Sequence, residues 1–111
     1  MAANLSVQLD YTSEGVAKHA EVYSRDMSGG GMALYLPRHV ILRPGLMVEM
    51  QFTLPQLPHG DFPVDVKSTV IRVSERNENG FAVGSFQFVN MKESVRQRVI
   101  QYTFSRQRAL M

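Results

Sequence analysis

Cysteine is absent from the 111 residues. That removes disulfides, thiol nucleophiles and thiolate metal sites together, and it suits a reducing, cytoplasmic setting. Long apolar runs are absent too, since nothing approaches the roughly 18–20 residues of a membrane span. The opening Met1-Ala2-Ala3-Asn4 lacks the basic-then-apolar pattern of a secretory signal. There is no internal repeat, no low-complexity tract and no strong charge of either sign, the net being +2. Hydrophobic residues at 44% and charged residues at 20% are the proportions of a globular chain, not a disordered one. The length suits one domain over residues 1–111, able to bury a core but short for the deep cleft most enzymes use.

Catalytic patterns are equally sparse. His19, His39 and His59 are widely spaced, and no Asp or Glu at helical spacing completes a metal set. Ser28 is not in a Gly-x-Ser-x-Gly elbow, and no His–acid pair can be named for it. Glu21 and Asp26 make a carboxylate pair only if the fold brings them together. No catalytic residue, metal or cofactor is assigned, and the chain reads as a binding domain.

The charge is unevenly placed. Residues 91–111 carry Lys92, Arg96, Arg98, Arg106 and Arg108 against Glu93, a net of +4, while the first ninety residues carry −2. This is either a solvated helix face or a surface for an anionic partner. It lacks the density and interleaved aromatics of a nucleic-acid surface, so no nucleic-acid partner is expected.

The first ninety residues read in period two. Leu5, Val7, Leu9 and Tyr11 alternate with polar residues, and Thr12 to Gly15 is turn chemistry. Val16, Ala20 and Val22 share one face of the next strand, opposite His19, Glu21 and Tyr23. Met32, Leu34 and Leu36 resume the alternation until Pro37, and Arg38 to Gly45 is a loop. Leu46, Val48, Met50, Phe52 and Leu54 form the clearest strand, with Pro55, Pro58 and Gly60 making the next connection. From Phe62 to Arg72 the parity changes between Val64–Val66 and Ile71–Val73, which predicts a bulge near Ser68-Thr69. Asn77 to Gly80 is a turn, and Phe81 to Val89 a last strand.

Six short strands at meander-like intervals, within about residues 4–89, predict an all-β antiparallel barrel or sandwich. The period then changes. Val95, Val99, Tyr102 and Phe104, with Ile100, recur at helical spacings, predicting one C-terminal α-helix over about 91–110. Its apolar stripe is expected to face the barrel mouth, which needs cover.

The most informative segment is Arg25-Asp26-Met27-Ser28-Gly29-Gly30-Gly31. Three successive glycines are costly to order, so a folded domain keeps them where positive φ or close backbone approach demands it. In Asp26-x-Ser28-x-x-Gly31, a carboxylate can accept both N–H donors of a guanine edge and a hydroxyl can add a third contact. A glycine there lets a planar ring approach the backbone. The plain alternative is a hairpin turn in which Asp26 and Ser28 bond locally.

The segment resembles the signature of the PilZ family, cyclic-di-GMP receptors built on a six-stranded β-barrel. The resemblance continues in order through Pro44-Gly45, Val70-Ile71-Arg72-Val73, Val83-Gly84-Ser85-Phe86-Gln87-Phe88 and the closing Ile100-Gln101-Tyr102-Thr103-Phe104. It implies a ligand site of Asp26, Ser28 and Gly31, with Gly29 and Gly30 shaping the turn and Arg25 beside it. It implies no reaction, only a relay of second-messenger level to a protein partner or neighbouring domain, in motility, biofilm or exopolysaccharide control. The flagellar-brake type, whose barrel follows another β domain, is the subgroup it suggests.

One part of that pattern is missing. The family carries Arg-x-x-x-Arg before the first strand, where guanidiniums hold phosphates and guanine edges. Here no arginine precedes Arg25. Either the chain is a piece of, or a substitution in, a longer receptor, or it is a degenerate member that binds proteins and no nucleotide. Arg25, Arg106 and Arg108 are the candidates to compensate.

Overall fold

The computed structural model describes residues 4–56 and 60–109, except for the side chains of 56 and 105–109. Six strands close into a barrel: β1 (Ser6–Ser13), β2 (Val16–Met27), β3 (Gly31–Leu36), β4 (Met47–Gln56), β5 (Gly60–Val73) and β6 (Ala82–Val89). The order around the barrel is β1-β2-β3-β6-β5-β4, with β4 returning to β1 and every pairing antiparallel. A helix, α1 (Glu93–Ala109), follows. Of the two architectures the alternation allowed, the chain takes the barrel.

Alternation is what the barrel interior requires, because successive strand residues face opposite sides. Val7 and Leu9 of β1, Leu34 and Leu36 of β3, and Met50 and Leu54 of β4 are all fully buried. The β1–β2 connection is a two-residue turn in which Glu14 and Gly15 have φ of 52° and 76°. Two positive φ values make this the turn whose twist matches the flanking strands. Val16 has the parity of Ala20 and Val22 but is 57% exposed, because it sits at the hairpin tip beyond the barrel rim.

The bulge in β5 lies later than the alternation predicted. Register shifts between Val70 and Arg72, leaving Ile71 as the extra residue, 50% exposed. The reason is Ser68, which keeps the inward parity despite being polar. It is fully buried, and its hydroxyl donates to Met50 Sδ at 3.8 Å. A second bulge, between Ser24 and Asp26, makes Arg25 the extra residue of β2.

Each end of the barrel is closed differently. At one end α1 seats Val99 and Tyr102 in the core, with Met91 ahead of them and Val95 packed against it. Phe104 was expected there too, yet it is 62% exposed. At about 100° per residue it points about 180° away from Val95, so its spacing to Tyr102 misleads. At the other end, Val40 and Leu42 from the β3–β4 connection are buried. Arg76 fastens that connection, donating to the carbonyls of Gly80 and Val40 at 2.7 Å and of Leu36 and Pro37 at 3.1 Å. His59 and the Pro58 connection lie outside the described residues.

These burials set an expected contrast. Val99→Ala should cost about 2 kcal/mol through lost burial and a cavity, and Phe104→Ala less than about 0.5 kcal/mol. Thermal melts of both variants check this. Equal losses would return Phe104 to the core.

Candidate functional site

The glycine-rich turn joins β2 to β3 at the barrel end that α1 covers. The bulge at Arg25 resets β2 so that Asp26 pairs with Ala33 and Met27 with Met32, both methionines pointing inward. The Asp26 carboxylate therefore stands on the outer surface, 41% exposed. The Arg25 guanidinium is its ion-pair partner, with Nε 3.0 Å from Oδ2. An ion pair this exposed is worth about 0–1 kcal/mol, so it is readily exchanged for another partner.

Ser28 organises the turn locally. Its N–H donates to the Gly31 carbonyl at 2.8 Å and its hydroxyl to the same oxygen at 3.4 Å, while the Gly30 N–H donates to the hydroxyl at 3.3 Å. The Phe88 N–H donates to the Gly30 carbonyl at 2.9 Å, tying the turn to β6.

The three glycines differ in what they do. None has a φ in the left-handed region, so close approach is the reason for glycine where there is one. A Cβ on Gly31 would sit 2.0 Å from the Phe86 carbonyl oxygen. One on Gly29 would sit 2.9 Å from Ile100 Cγ1, and one on Gly30 would meet nothing. Gly29 is thus the seat of α1, whose Arg96 also donates to the Gly29 carbonyl and lies 3.6 Å from Glu93.

The chain ahead of β1 reaches the same edge. The Leu5 N–H donates to the buried Ser24 Oγ at 2.8 Å, and the Ser24 N–H donates to the Leu5 carbonyl at 2.9 Å. Because β1 and β2 are antiparallel, Leu5 sits beside Ser24, the residue next in the chain to Arg25 and Asp26.

Other candidates fall elsewhere. Glu21 and Asp26 hold different partners. The Glu21 carboxyl is kept below its usual range by hydrogen bonds from Gln8 at 2.9 Å and Tyr23 at 3.2 Å. His19 bridges Asp10 and Gln8, each at 2.7 Å, on the outer face of β1–β2. His39 lies exposed on the β3–β4 connection. Among the described residues no group of three His, Asp or Glu could hold a metal ion, and no helix is long and apolar enough to cross a membrane. The Arg106 and Arg108 side chains lie outside the described residues.

The sequence marks Arg96 only as one of the basic residues of the helix. Its spacing of four from Ile100 puts both on the stripe that meets Gly29, a link visible only once the helix is docked.

The glycines allow a stability test of this geometry. Gly31→Ala should cost about 1–3 kcal/mol or more, since the methyl meets backbone. Gly30→Ala should be neutral or gain a few tenths of a kcal/mol, about what chain stiffening supplies. Paired thermal melts measure both. Equal tolerance would dissolve the close approach of β3 to β6.

Three solved structures superpose on the barrel. The inhibitor of motility of Bacillus subtilis, MotI/DgrA, aligns over 96% of this chain and 48% of its own, with TM-score 0.81 and 20% identity. This chain therefore spans about half the length of that protein. The PilZ domain of YcgR from Escherichia coli, solved with c-di-GMP, aligns over 96% and 84%, with TM-score 0.66 and 21% identity. The PilZ domain of CeSA from a cellulose-synthesising bacterium aligns over 96% of both chains, with TM-score 0.63 and 16% identity. No curated protein matches the sequence. Residues 3–105 match the PilZ domain family, and the chain belongs to that family, one of cyclic-di-GMP receptors.

Proposed function

We propose that this chain, as one unit over residues 1–111, is a cyclic-di-GMP-binding effector domain. Asp26, Ser28 and Gly31 would hold the guanine. The Asp26 carboxylate would accept the N1–H and exocyclic amine, exchanging its Arg25 partner for the base. The Ser28 hydroxyl adds a polar contact, and Gly31 keeps the wall free of a side chain. Gly29 and Gly30 would shape the turn, and Arg25, once released, would be free to meet a phosphate. No reaction is proposed. The output is a change in contacts with a protein partner or adjacent domain, and control of motility fits the resemblance to the inhibitor of motility MotI/DgrA.

The observation that carries this reading is convergence at one edge. The bulge turns Asp26 outward, and the Leu5–Ser24 bonds bring Leu5, just ahead of β1, to within two residues of Asp26 along β2. That is where guanidiniums from an upstream Arg-x-x-x-Arg would have to arrive. Relay is supported by α1, whose Arg96 and Ile100 rest on Gly29 within the turn. A ligand that shifts the turn acts on the helix directly.

The missing arginines set the expected affinity. Two charge-assisted contacts at about 1.5–3 kcal/mol each are worth several orders of magnitude in binding. These 111 residues should bind cyclic-di-GMP at tens of micromolar or weaker, on the usual scale. A leader carrying Arg-x-x-x-Arg fused ahead of Leu5 should tighten binding roughly 100-fold, the gain shrinking as salt rises. In that fused chain, Asp26→Ala or Ser28→Ala should weaken binding without unfolding the barrel. Calorimetric titration at two ionic strengths, with matched circular dichroism, measures all three. Should the fused chain bind no better, the degenerate-adaptor reading replaces the receptor reading.

A further inference from the structure

The barrel is closed, yet one of its seams opens at the end away from α1. β1 pairs with β4 only from Val7 to Asp10, opposite Phe52 to Glu49. Beyond Asp10, residues 11–13 have β2 along one side and no ladder along the other. Facing that bare edge is the lead-in to β4, residues 39–43, which belongs to no strand. Val40 and Leu42 point into the core while His39, Ile41 and Arg43 face outward, Ile41 at 67% exposure. The lead-in thus has the alternation of a strand without a neighbour.

Two anchors hold it in place. Arg76 binds the Val40 carbonyl at 2.7 Å, and the Gly45 N–H, in the turn after Pro44, donates to Val70 at 2.7 Å. Among the described residues, no hydrogen bond engages the N–H groups of Ile41, Leu42 and Arg43 or the carbonyls of Ile41 and Leu42. Between the two edges lies a groove of about 520 Å³. It continues past Tyr11, Thr12, Lys18 and Leu46 into a second hollow of about 480 Å³ along the β1–β4 seam. The first hollow is lined by Lys18, Arg43 and His39 against Glu14 alone. Among the described residues none of the three basic side chains has a hydrogen bond or ion pair.

We propose that this open seam receives an extended acidic peptide segment of a partner protein as an added strand. Its main chain pairs with the bare edges at residues 41–43 and 11–13, and its carboxylates meet Lys18 and Arg43. Alternate side chains pack on Ile41 and Leu46. Strand addition draws its affinity from main-chain bonds and its selectivity from pockets for every second side chain, and an unpaired edge is its template. The arginine fork supplies bidentate recognition of a carboxylate. The inference does not rest on cyclic-di-GMP binding, since the glycine turn is at the other end of the barrel.

A phage-displayed library of random nonapeptides, selected on the intact chain, tests the proposal, followed by titration of the enriched peptides made synthetically. The enriched sequences should alternate acidic and aliphatic residues. Lys18→Glu with Arg43→Glu should weaken them at least 10-fold with unchanged circular dichroism, as should N-methylation of alternate peptide amides. Asp26→Ala should leave their affinity unchanged. No enrichment over a blank surface, no acidic bias, or indifference to N-methylation would overturn the proposal. Full competition by millimolar glutamate or phosphate would also overturn it, reducing the groove to a simple anion site.

Discussion

At Gly31 the backbone of β3 lies so close to β6 that a single methyl group would stand 2.0 Å from the Phe86 carbonyl oxygen. The candidate site follows from that approach. It lets the Phe88 N–H reach the Gly30 carbonyl, so the turn is strapped to β6 where a hairpin would otherwise stand free. With the turn laid down, Gly29 offers a flat backbone patch, and Ile100 and Arg96 of α1 occupy it. One close contact therefore sets both the wall beside Asp26 and the seat of the helix that closes the barrel. A ligand bound at the turn would share one piece of backbone with the helix seated on it.

The opposite end has a different economy. There the lid is the β3–β4 connection, and its buried Val40 and Leu42 are held by one guanidinium binding four carbonyls. Hydrogen bonds from a charged donor are the stronger kind, which is how a single exposed-chain residue can pin a loop. Because that loop is fixed without joining the sheet, it leaves the β1–β4 seam unzipped past Asp10. The two ends of the barrel thus present different surfaces: a polar turn beneath a helix, and a pair of bare backbone edges among basic side chains.

The barrel is legible because most of its interior is lined by apolar residues at alternate positions, and the Glu14-Gly15 turn carries its own signature. The errors fall where polarity and position disagree. Ser68 is polar yet inside, so the β5 bulge was placed too early. Val16 is apolar and correctly phased, but it lies past the rim where nothing covers it. Phe104 is apolar on the outer face of α1. At the candidate site, the Asp26–Gly31 motif was readable from residue types alone, but the division of labour among its glycines was not. Gly29 answers to Ile100 and Gly31 to Phe86, contacts some 70 and 55 residues away in the chain. The long-range contacts of Arg76 and Arg96 carry no signal in the sequence, since they are made to backbone carbonyls, which any residue presents.

The most direct measurement is an amide chemical-shift map of the chain carrying the arginine leader, recorded with and without cyclic-di-GMP. The largest changes should fall on residues 26–31 and, through Gly29, on α1 around Arg96 and Ile100, with the distant loop at 38–43 unmoved. Saturable changes centred elsewhere, or changes in the turn with none in the helix, would contradict the coupling of site to lid.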